Sequence, residues 1–166
     1  MPGRSPRHGL TERPFGIGAT GASTSFPTPR FRAKDYPDRG VILYGNADSN
    51  KAWRELLPSS PVQIRRGLVQ IGNRSLSGDG LACLFLQPRP DSDIACVGVV
   101  GGTGVAGMKL TDRVPYFLAG VAFPDCTVFG LESLSQAADG ARVAGFFGND
   151  WSVTHGEFVW RDEPAR

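Results

Sequence analysis

The residues Gly102-Thr103-Gly104-Val105-Ala106-Gly107 form a literal G-x-G-x-x-G, placed after an apolar run and ahead of a helical pattern. In a dinucleotide site, glycines at this spacing let the backbone approach a pyrophosphate at a helix N-terminus, and an acid roughly 20 residues on holds the ribose. Glu132, 25 residues past Gly107, is a loose match to that acid. A tight strand-to-helix turn uses the same glycines for their backbone freedom alone. The preceding run reads as arriving from a hairpin and not as opening a βαβ unit, and the glycines continue back through Gly101. Gly102, Thr103, Gly104 and Gly107 are therefore candidate ligand contacts on a Rossmann-like reading, and turn formers on the other.

A second polar cluster, Tyr44-Gly45-Asn46-Ala47-Asp48-Ser49-Asn50, follows a short apolar run. Open α/β sheets place ligands at the C-terminal ends of strands, so Asn46, Asp48 and Asn50 are candidate rim residues of a pocket. Each is also a good cap or turn former for the helix that follows.

Serine hydrolysis needs a nucleophile on a sharp turn, a histidine base and an acid that orients it. The chain contains no G-x-S-x-G; Gly21-Ala22-Ser23-Thr24-Ser25 lacks the closing glycine. Its histidines are His8, near the N-terminus, and His155, in a polar turn before Gly156. His155-Gly156-Glu157 resembles the H-x-E of zinc deaminases but has no downstream P-C-x-x-C to complete a metal site. Asp150 and Glu157 could form a carboxylate pair, with two solvated acids as the alternative. Trp151, Phe158 and Trp160 are expected to close the core, not to stack bases. Cys83, Cys96 and Cys126 are too widely spaced for a zinc cluster and odd in number, so they read as buried thiols. They do not identify a compartment. No catalytic residue, metal or cofactor is assigned from these patterns.

The elements that must position these groups start from an uneven chain. Residues 1–34 carry six Lys and Arg against one acid, and residues 35–166 carry 12 against 15, so the net charge of +2 conceals a globular part at −3. That leaves no basic stripe to neutralise a phosphate backbone, and nucleic acid is not an expected partner. The longest weakly polar stretch, Ile94 to Met108, is 15 residues with five glycines. A bilayer span takes about 20 apolar residues, so no membrane span is expected. The N-terminus lacks the apolar h-region of a signal peptide. Residues 1–34 hold five of the 13 prolines without hydrophobic periodicity, and are expected to be a disordered tail ahead of a domain over 35–166.

Within that domain, Val41 to Tyr44 reads as a buried strand ending at Gly45, and Lys51 to Leu57 as a helix burying Ala52, Trp53, Leu56 and Leu57, stopped by Pro58 and Pro61. Val62 to Leu76, with turns at Arg66-Gly67 and Gly72-Asn73, suggests a small β-meander. Leu81 to Leu86 and Ile94 to Val100 flank a connection too short for a crossover helix and should pair antiparallel, which makes the sheet mixed. Met108, Leu110, Val114, Phe117 and Leu118 suggest a helix after Gly107, weakened by Pro115. Cys126 to Phe129, Val143 to Phe147 and Glu157 to Trp160 read as strands, and 131–138 as a short helix. The fold expected is α/β: a mixed sheet flanked by a few helices, with a small meander.

Several stretches also resemble a known family. Asp38-Arg39-Gly40-Val41-Ile42-Leu43-Tyr44-Gly45-Asn46-Ala47-Asp48-Ser49-Asn50, Ser60-Pro61-Val62-Gln63, Gly78-Asp79, Gly101 to Arg113 and Phe146-Phe147-Gly148-Asn149-Asp150-Trp151-Ser152 are similar to the C-terminal region of bacterial, planctomycete-type prolyl-oligopeptidase-like and esterase-like α/β-hydrolases. The likeness spans roughly residues 35 to 161. In that family the nucleophile, acid and histidine belong to a separate α/β-hydrolase domain earlier in the chain, and no position here matches their motifs. The resemblance therefore implies a non-catalytic accessory domain, or a fragment of such a hydrolase, whose partner is the catalytic domain of the same or a neighbouring chain.

The resemblance bears on the tail as well. The family pattern just upstream runs like W-Y-R-G-N-G, then V-D-V-V-P-D-T-A-F. Taking the third base of each codon from Pro14 to Arg30 with the first two of the next, codon degeneracy permits Leu followed by that pattern with one intervening glycine; Phe15-Gly16, for example, gives TGG from TTT-GGN. The frames rejoin at Phe31 if one extra T lies in that codon's run. Residues 1 to about 30 are then expected to be a frameshifted translation joined to an in-frame domain at Phe31-Arg32, with an exposed apolar edge left beside Val41 to Tyr44. An ordinary tail rich in Pro, Gly and Arg accounts for the composition equally.

Overall fold

Short apolar runs separated by glycine and proline turns give nine strands in the computed structural model, which describes residues 31–114, 116 and 123–161. In chain order they are β1 (Val41–Tyr44), β2 (Val62–Arg65), β3 (Leu68–Ile71), β4 (Arg74–Ser77), β5 (Ala82–Pro88), β6 (Cys96–Gly102), β7 (Cys126–Phe129), β8 (Ala141–Phe146) and β9 (Glu157–Trp160). The helices are short: α1 (Trp53–Leu56), α2 (Val105–Thr111) and α3 (Ser133–Gln136). Residues 1–30, most of the expected tail, lie outside the described residues, as do Pro115, Phe117 and Leu118; residues 31–34, also expected to belong to it, are ordered, with Ala33 in a 3-10 turn.

A six-stranded sheet has the order β1-β6-β5-β7-β8-β9, and a separate three-stranded sheet the order β2-β3-β4. The connection from Arg89 to Ala95 is too short to cross over, and β5 and β6 are antiparallel neighbours, with Leu84 opposite Val100. β1 joins the other side of β6 in parallel, Val41 facing Val97, so the sheet is mixed. The meander is a pair of hairpins, turned at Gly67 and Gly72, both with positive φ.

Both faces of the large sheet are covered at its central strands β5, β6 and β7, whose successive side chains alternate between the two. Cys83, Phe85, Val97, Val99, Cys126, Val128 and Val143 point to one side, where they meet α1 and the meander through Trp53, Leu56, Val62, Ile64, Val69 and Ile71. Ala82, Leu84, Val100 and Phe129 point to the other and pack against Leu110 of α2. Burying a side chain such as Phe85, which is 1% exposed, contributes roughly 1.5–3 kcal/mol.

Several expectations change. The Lys51 to Leu57 helix is a single turn, since Pro58 stops it before a second can form, although Ala52, Trp53, Leu56 and Leu57 are all buried. β1 is an edge strand and only Leu43 is fully buried, with Tyr44 exposed. α2 begins at Val105, ahead of Gly107, because Gly104 is extended and serves as its N-cap. Cys96, expected to be buried, is exposed at the start of β6, while Cys83 and Cys126 are buried on neighbouring strands. Burial, and then the nearby Cys126, pushes the Cys83 thiol well above its usual range.

The sheet is tied to the chain ahead of β1 by a charged side chain. Arg89, at the end of β5, is fully buried. It donates from Nε and Nη2 to the two carboxylate oxygens of Asp91 at 2.8 and 2.6 Å. Its remaining N–H groups reach the carbonyls of Tyr36, Arg39 and Ala33 at 2.8, 2.6 and 3.2 Å. Ala33 is buried and Phe31 packs against the core, so packing begins ahead of Asp35.

Candidate functional site

β1 and β6 run in parallel, and their C-terminal ends open on the same side into the Gly45 to Asn50 loop and the Thr103-Gly104 turn. The two clusters selected from sequence therefore meet. They line an open cleft of about 690 Å³ together with Arg66 from the β2–β3 turn, Asp79 from the β4–β5 connection, and Met108, Lys109 and Asp112 around α2. Of the sequence candidates, Asn46, Gly102, Thr103 and Gly104 line it; Asp48, Asn50 and Gly107 do not.

The polar atoms of these candidates are engaged by the chain itself. Asn46 is 7% exposed; its Nδ2 donates to the Gly102 carbonyl at 2.9 Å and its Oδ1 accepts from the Asp48 and Ser49 N–H groups. Asn50 Nδ2 donates to the Tyr44 carbonyl and its Oδ1 accepts from Ala52 N–H. Asp48 accepts from the backbone N–H of Arg66 at 2.9 Å and from the Arg65 guanidinium at 2.8 Å, which fastens the loop to the meander and holds its carboxyl below the usual range. Thr103 Oγ1 donates to the Gly78 carbonyl at 2.6 Å and accepts from Leu81 N–H.

The three glycines are needed for close packing. A Cβ on Gly102 would lie 2.5 Å from the Met108 nitrogen, and one on Gly104 2.8 Å from the Asp79 carbonyl oxygen. A Cβ on Gly107 would collide with the Leu81 carbonyl. The Asp79 carbonyl also accepts the Gly107 N–H, so protein atoms fill part of the space at the start of α2. Arg66 and Lys109 are matched in the cleft by Asp79 and Asp112. Glu132 is not in the cleft; it is ion-paired with Arg142 on β8.

The strand ahead of the glycine motif arrives from a hairpin, as expected, but it also opens a crossover, which was not expected. β6 and β7 are both antiparallel to β5, which lies between them, and so are parallel to each other, with α2 on the connection. The hairpin and the crossover share β6. A short turn from β5 signalled only the first.

Arg66, Asp79, Lys109 and Asp112 were not selected from sequence. Arg66-Gly67 was read only as a turn, and Asp79, Lys109 and Asp112 only within stretches that resemble a family; where these side chains point depends on how the meander and α2 pack.

A second polar cluster lies in the loop between β8 and β9. His155 Nδ1 is 2.7 Å from Asp150 Oδ2, and the Ser152 hydroxyl is 3.4 Å from the same ring nitrogen. Asp150 therefore pairs with His155, and not with Glu157 as the sequence allowed. The hydrogen bond from His155, followed by those from Ser152, lowers the Asp150 pKa to about 2. A hydrolytic triad places its hydroxyl and its acid on opposite ring nitrogens. Here both crowd Nδ1 in an exposed turn, an arrangement that orders the loop. Trp151, Phe158 and Trp160 pack on the core, and the Arg74 guanidinium lies 3.9 Å over the Trp160 ring.

Among the described residues no group of three or more His, Cys, Asp and Glu side chains is placed to hold a metal ion. No helix among them is long and apolar enough to cross a membrane. No family model, curated protein or solved structure matches the chain.

Proposed function

We propose that the chain is a non-catalytic accessory domain or fragment of a prolyl-oligopeptidase-like or esterase-like serine hydrolase, serving the catalytic domain of the same or a neighbouring chain. The observation that carries this reading is the use of polar groups at the cleft. Asn46 and Thr103, the neutral side chains best placed to receive a ligand at the ends of β1 and β6, bond instead to the backbone of neighbouring loops. That is the chemistry of a rigid scaffold. Some of the residues that carry the family resemblance, including Asp48, Gly78, Asp79, Gly102 and Thr103, make the bonds that fasten loops together at this end.

A Rossmann-like nucleotide-binding protein is the second reading. It is favoured by a glycine turn at the end of a parallel strand, with Arg66 and Lys109 in the same cleft. Calorimetric titration with NAD, NADP and ATP separates the two. The accessory reading expects no saturable heat. Micromolar binding lost in Gly104→Trp would replace it with the nucleotide reading. Turnover of p-nitrophenyl esters or Pro-containing peptides should not exceed that of a Ser152→Ala, His155→Ala double variant.

A further inference from the structure

The large sheet ends at β9, and the outer side of that strand has no neighbour among the described residues. Beside it lies an apolar surface. Val159 is 76% exposed and Phe146 54% exposed; both point to the face opposite the meander, as does Ala144, which faces Val159 across the β8–β9 ladder. Glu157 and Arg161, both exposed, flank Val159 on that face, two residues away on either side. An edge with free main-chain groups and an apolar centre is a template for another strand.

The ladder fixes which main-chain groups are free. Arg161 N–H donates to the Arg142 carbonyl at 2.9 Å, so its main chain faces β8. Alternation along an antiparallel strand then turns the N–H and C=O of Trp160 and Phe158 outward. A second β9 strand laid antiparallel must offer its own outward groups, which restricts the pairing to registers two residues apart. Only one of these sets Glu157 of each copy opposite Arg161 of the other. In that register Val159 faces Val159, and Phe158 faces Trp160 with both main-chain bonds exchanged. The Glu–Arg pairs fall at non-hydrogen-bonded positions, where cross-strand side chains are closest.

We propose that β9 is a self-association edge: two copies of this chain pair antiparallel through residues 157–161 about a twofold axis at Val159, and continue the six-stranded sheet into one of twelve strands. The two Phe146 side chains extend the central Val159 pair into one apolar stripe. The Arg161 guanidinium donates through Nη1 to the Gln136 Oε1 at 3.3 Å and lies within electrostatic reach of Glu132; its other donors are available to the second copy's Glu157. The contact is small against the ~1,600 Å² of a standard interface, so the dimer is weak and concentration-dependent.

Sedimentation of the full chain over a range of concentrations tests this. The wild type should show a reversible monomer–dimer equilibrium. Glu157→Arg and Arg161→Glu should each weaken it by about tenfold or more, since two attractive pairs become repulsive. An equimolar mixture of the two variants should dimerise again, because both cross-strand pairs are then of opposite sign. That recovery also shows that each variant is folded. A wild type that stays monomeric would overturn the proposal. So would a dimer that survives both reversals, which would use another surface such as the β1 edge, or a loss of dimer that mixing does not restore.

Discussion

At one end of the large sheet, where β5 turns back into β6, the buried Arg89 guanidinium gathers three carbonyls from residues 33 to 39 and both oxygens of Asp91. At the other end, where β1 and β6 finish side by side, a neutral amide and a hydroxyl, Asn46 and Thr103, hold the loops, and glycines let backbone touch backbone. Both ends join segments distant in sequence. The first does so with a charge taken out of water, which is tolerable only because all five guanidinium N–H groups are matched. The second buries no charge: its ion pair, Asp48 with Arg65, is at the surface, and its buried bonds are those of a neutral amide and a hydroxyl, at the cost of allowing no side chain at Gly107. The end that looks least like a site is therefore the more damaging one to disturb, and the end that looks most like one is a joint between the two sheets.

The most severe way to break this contrast is Arg89→Ala. Removing the guanidinium empties a fully buried position and breaks five hydrogen bonds, although Asp91, 41% exposed, can return to water. Unfolding stability in urea should fall by about 3–4 kcal/mol. Arg89→Lys should recover only a small part, since an ammonium cannot reproduce the planar fork. Gly107→Ala should cost about 3 kcal/mol in the same assay, because the methyl group meets the Leu81 carbonyl and not a flexible side chain. Asn46→Ala comes next, at about 1–2 kcal/mol for a buried amide whose partners lose their bonds. An Asn46→Ala loss larger than that of Arg89→Ala would reverse the ranking of the two ends.

The smallest effect belongs to the exposed loop. Asp150 titrates at about 2 in the folded chain against 3.8 for a free aspartate, so its contribution is complete above pH 3.8 and lost as pH falls through about 2. His155→Ala should return the Asp150 carboxyl midpoint, followed by NMR, toward 3.8. Its melting temperature should differ from the wild type above that pH and converge with it near pH 2. An unchanged midpoint would mean that Ser152 alone holds the carboxylate.

Where sequence was informative, the signal was local. The β5–β6 hairpin follows from a seven-residue connection, Arg89 to Ala95, that no crossover helix could fill, and the meander from glycines at 67 and 72 that take positive φ. Strand faces could be read wherever alternation was clean, as in Val62 and Ile64. The cleft was legible only as two unconnected halves, because the Asn46 loop and the Gly102 turn become neighbours through a parallel pairing that no local pattern encodes. Arg89 was invisible: an arginine between two prolines reads as solvated loop, and its burial depends on carbonyls delivered from residues 33 to 39. Cys96 was misjudged because it adjoins the apolar run of β6, yet its side chain stands at the strand's exposed start.

The pairing of Val41 with Val97 also sets an order of events. As the chain emerges from synthesis, β1 comes early but has no sheet to join; its one neighbour among the described strands lies beyond α1, the whole meander and β5. Closing so long a loop is entropically expensive, and it becomes favourable only once β6 rests against β5. The hairpin and the meander can each assemble from nearby residues, while the cleft, which requires β1 beside β6, can exist only after that late docking. Of the features described, it should be among the last to form and the first to come apart under slow unfolding, ahead of the β5–β6 pairing on which it rests.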